Sequence, residues 1–259
     1  MKSIGIIFIL LASTFFSYSQ RNFNYSNYTE ENINSNSRVG VFLTYGQSNS
    51  GNHGKLGYLV RNNVYQFVLG NTFIYKDPSL GTTGPGGSVW GLVGDKLIDN
   101  GIYENVVFSN CGWSGKSINQ LNREPLISYL ISNYNALMET YGKVDGVLFH
   151  QGESDNRPLL EDKYYIEFVK LLMILKSNGI ETPIYLSRVS MCAKNKANHV
   201  VTNSQNKLIN DFKEIYEGPN TDILVDKKYR LNDYCHFSLE GYDIFSDMWI
   251  YYIMKEVVK

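Results

Sequence analysis

The chain has 259 residues, of which 43% are hydrophobic and 19% charged, with a formal net charge of −1. That balance belongs to a globular domain long enough to bury a sizeable core, and it lacks the basic excess that nucleic acid would demand. The 3 cysteines cannot all pair within one chain, so no disulfide framework is implied, and their spacing makes no zinc site.

Residues 1–19 carry one lysine, an apolar run from Ile4 to Ala12 and then Ser17-Tyr18-Ser19, the small-x-small pattern of a cleavage site. This predicts a signal peptide, a secreted or periplasmic location and no stable membrane association. Residues 20–38, rich in Asn, Ser and Tyr, predict a flexible lead-in to a single domain over 39–259. Residues 39–46 read as a buried strand ending in Gly46, with a helix starting at Ser48. Residues 53–87 read as a loop insertion holding a small hairpin about Gly70-Asn71. Helical spacing over 88–100 ends at Gly101, and 105–109 reads as the next strand. Residues 118–141 predict a helix interrupted at Pro125 and stopped by Gly142. Then come strand 144–149, helix 163–178, strand 183–187, helix 200–216, strand 222–225 and helix 242–258. Strands separated by helices predict α/β architecture, a three-layer α/β/α sandwich about a central parallel sheet.

In such a sheet the segments after the strands share one rim, where ligands bind. Four of them are polar: Gly46-Gln47-Ser48-Asn49, residues 110–117, residues 150–155, and Asp233 to Phe237. Gly46 permits a sharp turn that would lift Ser48 onto the rim as a candidate nucleophile; a helix cap is its plainer reading. Serine acyl transfer also needs a base, a carboxylate to orient it and donors for the oxyanion. Asp233 and His236, three apart, supply the first two if one turn sets the carboxylate against one imidazole nitrogen and leaves the other for Ser48. A turn residue and a surface histidine are their plainer readings.

These blocks, Gly46-Gln-Ser-Asn49, His150-Gln-Gly-Glu-Ser-Asp155 and Asp233-x-x-His236, resemble in type and order those of the SGNH (GDSL-type) hydrolases, in the sialate O-acetylesterase and acetylxylan esterase branch. The resemblance implies a flavodoxin-like fold. It implies Ser48 as nucleophile, His236 as base and Asp233 as its partner. It implies an oxyanion hole from the Ser48 amide, the Gly115 amide, with Gly112 as rival, and the Gln151 side chain. Glu153 is either an alternative acid for His236 or a buried acid bonding loop amides, and Asn49 is a secondary candidate. The implied partner is an acetylated glycan, such as sialic acid or xylan, with no metal or organic cofactor. The G-x-S-x-G elbow of α/β-hydrolases is a weaker match, because Asp233 and His236 share one loop. A carbohydrate-binding pseudoenzyme, a polysaccharide O-acetyltransferase and a lipid esterase of the same fold are the competing readings. Trp113, His150 and Phe237 are expected to wall a small acyl slot.

Overall fold

The computed structural model describes residues 25–33, 37–157, 162–193 and 196–257, so the expected signal peptide lies outside the described residues. Seven strands form one sheet: β1 (Val39–Gly46), β2 (Val64–Val68), β3 (Asn71–Ile74), β4 (Asn105–Gly112), β5 (Gly146–His150), β6 (Ile184–Arg188) and β7 (Ile215–Asn220), in the order β3-β2-β4-β1-β5-β6-β7. All neighbours are parallel except the antiparallel pair β2 and β3. The helices are α1 (Trp90–Asp99), the short α2 (Ile118–Leu121), α3 (Leu126–Tyr141), α4 (Lys163–Ser177), α5 (His199–Asp211) and α6 (Leu239–Val257). No helix among the described residues is long and apolar enough to cross a membrane.

Side-chain alternation along the central strand divides the core in two. Val41, Leu43 and Tyr45 of β1 face a cluster with Leu130 and Leu137 of α3, Phe168 and Leu171 of α4, and Leu208 of α5. Phe42 faces the other way, into a cluster with Trp90 and Val93 of α1 and Phe245 and Trp249 of α6. Both faces of the sheet are therefore covered, in keeping with the burial of β1, β4 and β5 along nearly their whole lengths.

Four expectations need correction. The hairpin is no insertion: β2 pairs with β4, and Val64, Phe67 and Val68 are buried in the main sheet. The lead-in is tied down in part, because the Glu31 amide donates to Thr72 O and the Ile74 amide to Thr29 O along the outer edge of β3. The helix expected over 200–216 stops at Asp211, and residues 215–220 form the last strand in place of 222–225. Phe212, Ile215 and Tyr216 keep a helical rhythm that conceals the change, and Pro219 is tolerated because β7 is an edge strand. The chain also holds a disulfide, Cys192–Cys235, with Cys111 left free and buried.

Candidate active site

Gly46 is the register partner of Gly112 in β4 and of His150 in β5, so three of the polar segments leave the sheet side by side. A Cβ on Gly46 would lie 2.0 Å from the His150 carbonyl oxygen, and its φ is +150°, so only glycine can turn here while staying paired. The chain then makes a single 3-10 turn, Ser48–Ser50, where the sequence predicts a full helix. A turn this short has almost no dipole to lend. The cap position is Gln47, and no side-chain cap bond is made there, so the plainer reading of Ser48 as a cap does not hold. Ser48 is only 4% accessible, nearly buried rather than exposed on the rim.

The segment before α6 brings the second pair together. Asp233 Oδ2 lies 2.6 Å from His236 Nδ1, while Asp233 Oδ1 accepts the backbone amides of Cys235 at 2.9 Å and His236 at 3.0 Å. Tyr234 bends this turn with a φ of +57°. Partial burial pushes the Asp233 carboxyl up, but the Cys235 amide and the His236 ring and amide outweigh it, so the group is held below the usual carboxylate range. A carboxylate against Nδ1 fixes the proton there and leaves Nε2 with its lone pair. That Nε2 is buried and meets no hydrogen-bond partner among the described residues.

Asn49 joins the two halves. Its Nδ2 donates to Cys235 O at 3.2 Å and to Glu153 Oε1 at 2.9 Å, so the neighbour of Ser48 grips the neighbour of His236. Arg230, 4% accessible, grips the same carbonyl with Nη1 at 2.7 Å, donates to Leu224 O and Thr221 O, and lies 4.0 Å from the centre of the Phe237 ring. Burial pulls its pKa down to about 10, against the pull of Glu153, Asp222 and Asp233. The disulfide adds a third hold, through Cys235 itself.

Glu153 is buried beside Asn49 and lies 3.5 Å from His150 Nε2, and no contact among the described residues joins it to His236. Burial pushes its carboxyl up, but His150 and the Asn49 amide outweigh it and hold it below the usual range. Gln151 is fully buried, its Nε2 donating to Asp155 Oδ2 at 2.6 Å and more loosely to Lys116 O at 3.2 Å and Gln47 Oε1 at 3.4 Å. Gly115 sits at a φ of +68° with open space where a Cβ would point, and its amide has no acceptor among the described residues. The Gly112 amide, by contrast, donates to Thr82 Oγ1 at 3.0 Å. His150 and Phe237 are fully buried, His150 against Phe245 and Phe237 within the core, so of the three expected wall residues Trp113, itself largely buried, lines an open depression and the other two do not.

Sequence reasoning passed over Gln47, Asp155 and Arg230. Asp155 had a local signal, since it lies four residues after Gln151 in the same block. Arg230 had none, because its acceptors become neighbours only through the fold.

This fold is that of the SGNH hydrolases, and solved structures similar to it share it at low identity. A protein from Arabidopsis thaliana aligns with 85% of this chain and 99% of its own at 13% identity and a TM-score of 0.67. A carbohydrate acetylesterase from Xanthomonas citri aligns with 85% of this chain and 56% of its own at 14% identity and a TM-score of 0.57. NanS aligns with 86% of this chain and 98% of its own at 16% identity and a TM-score of 0.59. No curated protein matches the chain in sequence. The family model described as "Carbohydrate esterase, sialic acid-specific acetylesterase" matches residues 94–252, and the chain belongs to that family of carboxylic ester hydrolases.

Proposed function

We propose that this protein removes O-acetyl groups from a carbohydrate through an acyl-enzyme in which Ser48 is the nucleophile, His236 the base and Asp233 the carboxylate that orients it. One observation carries the reading: His236 is held by Asp233 at Nδ1, presents an Nε2 with no partner among the described residues, and is pinned to the serine turn through Asn49 and Cys235 O. Ser48 Oγ attacks the acetyl carbonyl as its proton passes to His236 Nε2. The tetrahedral intermediate expels the sugar oxygen, which takes that proton. Water, deprotonated in turn by Nε2, then cleaves the acetyl-serine and releases acetate.

The oxyanion would be met by the amides of Ser48 and Gly115 and by Gln151 Nε2. The free Gly115 amide supports it over Gly112, whose amide is already engaged. Gln151 has one N–H on Asp155 and can turn the other, loosely shared, toward an incoming oxyanion. Open depressions lie on both sides, one lined by Lys55, Asp233 and Glu240 and one by Thr83, Trp113, Lys116 and Arg123, which leaves room for the sugars that flank an acetylated unit. Export to the cell exterior or periplasm, carried by residues 1–19, belongs to the same reading.

The test is acetate release from acetylated sialic acid, acetylated xylan and an acetylated pectic fragment by the purified protein and by Ser48→Ala. Release from at least one of these, abolished in a variant with an unchanged melting temperature, is the expected result. Equal release by the variant would remove Ser48 from the mechanism.

A further inference from the structure

The segment after the serine turn carries a second histidine, His53, whose ring lies almost parallel to that of His236, 26° off with centroids 5.4 Å apart. The other edge of His53 is anchored, with Nε2 3.3 Å from Thr83 Oγ1. Thr83 Oγ1 lies 3.1 Å from Gly112 O and accepts the Ser114 amide at 2.9 Å. Gly112 O accepts from Thr82 Oγ1 as well, at 2.6 Å, so the Thr83 hydroxyl proton is not bound to go there. Thr83 Oγ1 either accepts from His53 Nε2 or donates to it, and the two side chains are joined in both tautomers. The Thr83 amide also donates to Gly112 O at 3.0 Å, so this hydroxyl is held in place by β4.

We propose that His53 is a positioning residue for His236: its ring, fixed through Thr83 to the end of β4, is the surface against which the base is held while it shuttles the proton. This rests on the reading of His236 as the base. Asp233 restrains His236 only at one edge, within the ring plane, and leaves rotation about that contact open. A flat partner on the ring face closes it. The same partner suits the charged state, since a neutral aromatic face attracts the imidazolium formed when Ser48 gives up its proton. Burial, then the charge His236 would carry, holds His53 below the ordinary histidine range, with Asp233 pulling the other way. His53 is therefore neutral at neutral pH as its neighbour takes up the proton. The bridge from His53 through Thr83 to Ser114 also ties the base to the segment that carries Gly115.

The test compares kcat and KM on an acetyl ester for wild type, Ser48→Ala, His53→Ala, His53→Phe and His53→Gln. Phenylalanine keeps a ring and loses the bond to Thr83; glutamine keeps a hydrogen-bonding group and loses the ring. The expected result is a fall in kcat of about tenfold for His53→Ala, as for a slightly misplaced catalytic group, with KM little changed. His53→Phe should recover more of it than His53→Gln. An unchanged kcat in His53→Ala, an effect confined to KM, or recovery by glutamine equal to that by phenylalanine would each overturn the proposal. If His53→Ala does not fold, the other two variants decide it by the same comparison. Activity retained by Ser48→Ala would bring down the acyl-enzyme reading and this proposal together. An inactive Ser48→Ala beside a fully active His53→Ala would bring down this proposal alone.

Discussion

Replacing Asp233 by asparagine should leave the loop intact and disable the proposed base, His236. Oδ1 accepts two backbone amides, a role the carboxamide oxygen can keep, so the turn should survive. The change falls on Oδ2, 2.6 Å from His236 Nδ1. There an N–H would replace an acceptor and favour the tautomer that protonates Nε2, the atom that takes the serine proton in the proposed route. A charge-assisted bond is worth about 1.5–3 kcal/mol, and opposing the wrong tautomer costs about 1 kcal/mol more. At 1.36 kcal/mol per tenfold, kcat should fall by roughly a hundredfold to a thousandfold. The loss should be smaller than the factor of about 10⁴ seen with a buried triad carboxylate, because 46% of the Asp233 side chain is exposed and water screens it. The assay is the kcat for nitrophenyl acetate, with the melting temperature as control for folding. A loss below about threefold would refute the reasoning and take Asp233 out of the triad. Glu153 would then need a route to His236 around Asn49.

Gln151→Ala should lower kcat about a hundredfold with KM nearly unchanged, as for one oxyanion donor; a change in KM alone would make Gln151 a substrate contact. Cys192→Ser should lower stability by at most about 4 kcal/mol, given the sequence separation of 43, and urea denaturation measures it. Activity below the transition should persist, because Asn49 and Arg230 still hold Cys235 O. Asp77, pushed up to about 7 by burial, gives a pH signature. Its folded pKa exceeds the unfolded one, so the folded state binds the extra proton and stability should fall as pH rises from about 4 to 7. Asp77→Asn should remove that part of the slope in melting temperature, and an unaltered slope would exclude Asp77. Acetyl esters should be cleaved faster than butyryl or octanoyl esters, and the reverse order would favour a lipid esterase.

The parts of the fold that could be read in advance were those written locally. Residues 39–46 and 105–109 are rich in β-branched and aromatic residues, and Pro125 and Gly142 mark the break and the end of a helical stretch as plainly in the sequence as in the structure. The place of β2 in the main sheet depends on pairing with β4, some forty residues on, and no local pattern encodes it. The site divides in the same way. Asp233 and His236 sit three apart, so their contact is a turn and shows in the spacing. Asn49 reaches Cys235 across 186 residues, and the stacking of His53 on His236 is just as remote, so both appear only when the strand ends converge. Reading bulk as proximity failed for His150 and Phe237, because size does not say which way a side chain points.

The position of β1 bears on the order in which the molecule can be made. Both of its neighbours, β4 and β5, are synthesised after it, and parallel partners must be reached across long connections. The strand that delivers Ser48 therefore waits, apolar on both faces, until more than a hundred residues have followed it. Such distant pairing makes for slow folding and gives a chaperone a long interval in which to act. The segment bearing His236 comes later still. If Ser48 and His236 act as proposed, a ribosome-bound chain would carry a serine turn already packed between its strands and yet hydrolyse nothing, and the onset of ester cleavage in a timed translation reaction would report closure of the last loop rather than formation of the sheet.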